Sequence, residues 1–439
     1  MQRQAILDLE QWKNASGRKP LVLRGARQVG KTWLMKEFGK KAFKNVAYVN
    51  FDSNKGVRNL FDGDLDIPRL INGLQLSCDC RITPENTLLI FDEVQEAPRA
   101  LASLKYFCEN APEYAIIAAG SLLGVAMHHG TSFPVGKVSF LNLYPMTFTE
   151  FLHATGNVRL GDLLAQRDWS LITAFKDKFM ELLRNYYFIG GMPEVLESFI
   201  ENHDYRQVRE IQQRLLNAYE QDFSKHAPAT VVPRIRMVWN SIPSQLAKEN
   251  RKFLYGALRE GARAKDFELA IQWLRDCGLI YQVERTSTPS MPLSAYSDHS
   301  FKMFMLDVGL LGAMSGIDAK SLLEGNRIFE EFKGALTEQY VQQQLRSETG
   351  IEPFYWSAER GSAEVDFIFQ EGMEIIPVEV KAAENLKAKS LQIYRDKFSP
   401  RISIRTSMSD YRREDWLVNL PLYAVSQLRH ECQSESAGK

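Results

Sequence analysis

The sequence predicts an α/β fold: a parallel sheet with helices on both faces, then a helical and winged-helix-like stretch, then a second, C-terminal α/β block. Three observations predict it. Four short apolar runs, Leu21–Leu23, Val46–Phe51, Thr87–Phe91 and Tyr114–Ala119, alternate with helical stretches such as Thr32–Phe38 and Ala100–Cys108. Continuous rather than alternating apolar runs, separated by helices, are what a parallel sheet covered on both faces requires. From about 151 to 229 the pattern turns helical and amphipathic, broken by Ile189-Gly190-Gly191-Met192-Pro193, where glycines and proline end helices. After residue 325 a helix, Phe332–Leu345, precedes two further strands, Ala363–Phe369 and Ile375–Val380.

The chain has 439 residues, enough for about two to four domains. The pattern divides it at 1–150, 151–229, 230–324 and 325–439. The apolar share of 45% and the charged share of 25% are those of an ordinary globular protein. The formal net charge is zero, so no global field draws the chain to nucleic acid or a membrane, and any such surface must be local. The five cysteines contain one close pair, Cys78 and Cys80, without the spacing of a zinc cage or a redox motif. The longest mostly apolar stretch, Tyr114–Met127, falls short of the roughly 20 residues a membrane helix needs, and no leader-like apolar core opens the chain. The expectation is a cytoplasmic protein with reduced thiols and no membrane partner.

Gly25-Ala26-Arg27-Gln28-Val29-Gly30-Lys31-Thr32 matches G-x-x-x-x-G-K-[ST], with an apolar strand before it and a helix after it. Backbone N–H groups of such a loop and the helix N-terminus face phosphate. Lys31 then reaches the β and γ phosphates of ATP, and the Thr32 hydroxyl ligates magnesium. A second element follows downstream. The strand Leu88-Leu89-Ile90-Phe91 ends in Asp92-Glu93. Asp92 is placed to hold magnesium through a water, and Glu93 to act as general base on the attacking water. Ser121, after the fourth apolar run, is a γ-phosphate sensor candidate or a plain helix cap. An arginine finger is not identifiable: Arg27 lies inside the loop, Arg99 just past the acidic pair and Lys137 after a glycine, and each is equally readable as an ordinary surface charge. A small-molecule kinase is disfavoured, because Glu93 suits water activation.

The runs RGARQVGKTWLMKEFG, FDEVQ, GSLLGV, LYPMTFTEF and GGMPEV resemble the prokaryotic AAA-superfamily ATP-binding proteins of the ASCE division, over nearly the whole chain. The resemblance implies an ATPase core, a helical and winged-helix middle, and a C-terminal domain of unknown function similar to PD-(D/E)XK nucleases. It supplies no biological role.

In the middle segment, Val231–Lys265 holds eight Lys or Arg against two Glu. A helix over Ala264–Leu279, a strand at Ile280–Val283 and the turn-rich TSTPSMP give it a winged-helix order. In the last block, Asp366 lies within the strand AEVDFIF, and Glu379 and Lys381 share one face of the next, because strand side chains alternate. Glu338 lies on the preceding helix. Converging carboxylates with a lysine suit metal-assisted phosphodiester cleavage. Asp366, Glu379 and Lys381 take the matching positions of the PD-(D/E)XK pattern, Glu338 the helix acid; Val365 stands where that pattern has proline. An active nuclease and an inert ion-pair cluster both remain open. Lys381–Arg405 carries seven basic residues against two acidic, either a track for phosphates or a solvated face. These features point to an ATP-driven switch or motor acting with DNA or RNA, or else to a signalling ATPase, possible homo-oligomers included, whose C-terminal domain is inert.

Overall fold

The structure is a computed structural model; it describes residues 2–120, 133–248, 252–319, 330–359, 362–383 and 388–433. Two compact units divide the chain: Gln2–Tyr144 with Asp276–Leu279, and Pro145–Arg275 with Ile280–Lys439.

The first unit is built on five strands, β1 (Leu21–Arg24), β2 (Asn45–Asn50), β3 (Thr87–Asp92), β4 (Ala115–Ala119) and β5 (Ser139–Asn142). They form one all-parallel sheet in the order β2-β3-β4-β1-β5. The central strands β3 and β4 are buried at every position, as a sheet covered on both faces demands. At one edge β2 is only partly buried, and at the other β5 alternates between half-buried and exposed. β5 has no continuous apolar run, which is why four strands and not five are legible in the sequence. Phe51, Phe61 and Phe91 meet edge to face with ring centroids 5.5–5.7 Å apart, and Phe107 joins them through Phe91. Each such ring contributes about 1.5–3 kcal/mol by leaving water. Because all strands run the same way, the C-terminal ends of β1, β3 and β4 lie along one edge, where open α/β sheets bind ligands.

The second unit begins as a set of helices, among them Lys176–Ile189, Tyr205–His226 and Val232–Leu246. The break at Gly190-Gly191 has a clear cause. Gly191 N donates to Asp307 Oδ2 at 2.7 Å, and Gly191 O accepts from Met146 N at 2.7 Å. A Cβ on Gly191 would stand 2.1 Å from Met146 O. After the helix Ala264–Asp276 come β6 (Ile280–Thr286) and β7 (Ser297–Met305), an antiparallel pair. They belong to an eight-stranded sheet with β8 (Phe354–Ser357), β9 (Glu364–Glu371), β10 (Glu374–Val380), β11 (Ser403–Ser407), β12 (Arg412–Arg413) and β13 (Leu417–Pro421). Its order is β12-β13-β11-β10-β9-β8-β6-β7, so the hairpin and the C-terminal strands share one sheet. The helix Glu330–Ser347 carries buried glutamines that complete other elements' backbones. Gln339 bonds both N and O of Met305, while Gln343 and Gln344 accept from Val308 N and Phe148 N.

Candidate nucleotide site and carboxylate cluster

The loop between β1 and the helix Lys31–Ala42 is held in an unusual backbone shape. Gly25 has φ +152° and a Cβ there would lie 2.2 Å from Leu143 O, so only glycine fits. Gln28 and Gly30 take φ values of 67° and 95°, in the left-handed region. Lys31 is 7% exposed, and its Nζ donates to Gly25 O and Ala26 O at 2.9 and 2.7 Å. Burial pushes the Lys31 ammonium down to about 8, against the opposing pull of Glu93 and Asp92. The loop thus sets a buried lysine at a helix N-terminus, an arrangement of the kind that favours anions.

The acids at the end of β3 face this loop. Thr32 Oγ1 donates to Asp92 Oδ2 at 2.7 Å, and the Tyr48 hydroxyl on β2 donates to the same oxygen at 2.9 Å. Glu93 follows in a left-handed conformation, φ 51°, ψ 45°, a strain that active sites often store. Asp92 Oδ1 accepts from Glu93 N, and Gln95 Nε2 donates to Glu93 Oε2 at 2.6 Å. The hard oxygens of Thr32 and Asp92 are donors of the type that would suit magnesium. The sequence pattern anticipates Gly25 to Thr32, Asp92 and Glu93, and the structure brings all of them to one edge of the sheet.

Three contributors escape the sequence pattern. Tyr48 and Gln95 orient the acids. Arg3, 5% exposed, donates from Nη1 to Val29 O at 3.0 Å and from Nη2 to Tyr144 O at 2.7 Å. It ties the phosphate loop to the chain beyond β5 from a segment with no motif at all. Of the candidate fingers, Arg99 bonds the carbonyls of Phe61 and Gly63, and Lys137 pairs with Glu109 at 2.9 Å. Arg27 lies within the loop. Ser121 lies outside the described residues.

In the second unit, Glu338, Asp366 and Glu364 surround a lysine that the pattern reading does not single out. Lys302 on β7 is fully buried, and its Nζ lies 2.6 Å from Glu364 Oε1, 3.6 Å from Glu338 Oε2 and 3.9 Å from Asp366 Oδ1. Asp366 Oδ2 also accepts from Val380 N at 2.8 Å, which fixes it beside β10. Glu379 pairs with Lys381 at 2.8 Å; burial raises its carboxyl, partly countered by Lys381. A signal was present: Lys302 is a lone charge in the apolar run Phe301–Leu306. Among the described residues no group of three His, Cys, Asp or Glu is placed to hold a metal ion. None of the helices described is long and apolar enough to cross a membrane.

Elsewhere in this unit, Arg234, Arg236, Lys252, Arg259, Arg263 and Lys265 are exposed. Lys248, Lys252 and His299 line a cavity of about 600 Å³ with Phe253, Tyr255 and Phe301. Arg251 lies outside the described residues.

Residues 17–152 match the family model of an AAA domain. Residues 180–321 and 333–424 match two models, each described as a domain of unknown function (DUF8612 and DUF4143). No curated protein matches the chain. Among solved structures, a Walker-type ATPase of Pyrococcus abyssi is similar over 71% of this chain and 95% of its own, at 14% identity and a TM-score of 0.46. The Aeropyrum pernix ORC1 protein, solved in complex with DNA, covers 72% of this chain and 91% of its own, at 12% identity and a TM-score of 0.27. Cdc6p of Pyrobaculum aerophilum covers 72% and 92%, at 11% identity and a TM-score of 0.24. The AAA-domain match spans the five-stranded sheet of the first unit.

Proposed function

We propose that this chain is a magnesium-dependent ATP hydrolase whose nucleotide state operates a switch or motor on nucleic acid. The observation that carries the hydrolase reading is the 2.7 Å bond joining Thr32 to Asp92 beside the buried Lys31, with Glu93 next in the chain. In this reading Lys31 exchanges its carbonyl partners for the β and γ phosphates. Thr32 Oγ1 and, through water, Asp92 would hold magnesium, which neutralises charge developing on the phosphoryl oxygens. Glu93, steadied by Gln95, takes the proton of the attacking water. In this reading residues 1–150 are the ATPase domain and 151–229 a helical region, while the winged-helix-like 230–324 stretch and the nuclease-like 325–439 stretch share one sheet through β6 and β7.

Support for nucleic acid comes from the exposed basic residues between Val231 and Lys265 in a chain of zero net charge. The test is ATP turnover with duplex DNA, single-stranded DNA, RNA or none. Stimulation that falls with salt, at a slope near −0.9 per phosphate neutralised on B-DNA, is expected. Turnover indifferent to every nucleic acid, together with nucleotide-dependent oligomers, would instead establish the second reading, a signalling ATPase with an inert C-terminal domain. The Lys302 cluster favours that part of the second reading which concerns cleavage.

A further inference from the structure

We infer that the carboxylate cluster of the second unit contains its own cation, the Lys302 ammonium, and for that reason neither binds a divalent metal nor cleaves phosphodiesters. A nuclease-like fold would place magnesium among Glu338, Asp366 and Glu379, and these residues do not fit it. Magnesium needs oxygen ligands at about 2.0–2.1 Å, drawn into one small volume. Here Nζ of Lys302 stands among the oxygens of Glu364, Glu338 and Asp366 at 2.6, 3.6 and 3.9 Å. A second, doubly charged cation in that space would meet strong repulsion at short range in a low-dielectric interior.

Three further features agree. Lys302 has no exposed surface, so its charge must be paired inside the protein, and the acids are what pairs it. Its Nζ also lies 5.0 Å from the Tyr355 ring centroid, a further favourable contact for a cation. Asp366, which would be part of a metal shell, has its Oδ2 engaged by the backbone N–H of Val380. The arrangement is an ion-pair hub joining β7, β9 and the helix Glu330–Ser347. Such hubs break badly when one member is removed, even where they add little net stability.

This inference rests on the proposed reading for the division of labour, assigning the second unit a holding part and not a cutting one, but its test needs no ATP. Manganese binding to the full chain is counted by electron paramagnetic resonance without nucleotide. Wild type is expected to show no tight site, and Lys302→Ser to gain one, with manganese raising the melting temperature of the variant alone. Lys302→Arg, which keeps the charge, is expected to fold and gain none. Nucleotide-free manganese binding by wild type, lost in Asp366→Asn, overturns the inference. So does metal-dependent cleavage of DNA or RNA lost in that variant, or a folded Lys302→Ser chain that still binds no manganese. Should Lys302→Ser fail to fold, the wild-type count and the cleavage assay decide alone. Absent ATP turnover would strike the hydrolase reading and leave this result untouched.

Discussion

ATP affinity should fall about tenfold between pH 7 and pH 9, and the cause is one lysine. Burial brings the Lys31 ammonium down to about 8 in the protein without nucleotide. Phosphate oxygens supply the counter-charge that burial removed, so the bound complex holds the proton at least up to the ordinary lysine value of about 10.4. Binding must then recharge any lysine that has lost its proton. With the value of about 8, roughly nine in ten Lys31 side chains are charged at pH 7 and roughly one in ten at pH 9, which gives the tenfold loss. Proton uptake on binding should rise over the same interval from about 0.1 to about 0.9 per ATP.

Stability has the opposite sign. Below pH 8 the lysine is charged in both folded and unfolded chains, and the full cost of burying the charge is present. Above the unfolded value it is neutral in both, and the cost is gone. The nucleotide-free protein should therefore gain up to about 3 kcal/mol as pH rises through that window, apart from other groups that titrate there. Calorimetric titration with ATP in buffers of different ionisation enthalpy measures affinity and proton uptake together. Lys31→Arg, charged throughout, should show no step whatever its absolute affinity. A wild-type affinity equal at pH 7 and pH 9, with no proton uptake at pH 9, would refute the reasoning.

Three other outcomes are expected. Glu93→Gln should retain ATP and slow hydrolysis by on the order of 10²–10⁴, read in single-turnover assays, since the amide keeps the bond to Gln95 but takes no proton; wild-type turnover would remove Glu93 from the role of base. Arg3→Ala should lower stability by about 2–3 kcal/mol and weaken ATP binding, because it breaks two charge-assisted bonds to carbonyls, that of Val29 buried and that of Tyr144 partly so; denaturant melts and affinity unchanged from wild type would show that the tether to Val29 is idle. Gly25→Ala should abolish tight nucleotide binding, because its Cβ cannot coexist with Leu143 O at 2.2 Å; retained affinity would mean that the loop relaxes without cost.

What could be read in the sequence differed between the two sites for a physical reason. The phosphate loop is local: eight consecutive residues carry its glycines, lysine and threonine, and a four-residue strand and a helix on either side fix their direction. Asp92-Glu93 is equally local, since an apolar strand announces where its acids emerge. Arg3 and Tyr48 are not. Each reaches the loop or its acids only because the fold brings distant segments together, 26 positions from Val29 in one case and 44 from Asp92 in the other. β5 shows the same limit at the level of the fold: with two half-buried and two exposed positions it has no pattern strong enough to mark a strand.

The carboxylate cluster adds a different lesson. Residue type and strand parity single out Glu338, Asp366, Glu379 and Lys381, but they cannot state the charge of the finished site. That depends on Lys302, 36 positions before Glu338, arriving from another strand of the same sheet. A lysine inside Phe301-Lys302-Met303-Phe304 is costly unless something pairs with it, so its presence in an apolar strand already demanded acids nearby. The acids downstream were the ones available. Read in that direction, the buried lysine says more about the cluster than the carboxylates do. Carboxylates converge both in metal sites and in ion-pair cores, and a lysine accompanies them in both, but Lys302 has no exposed surface from which to reach water or substrate, which favours the second.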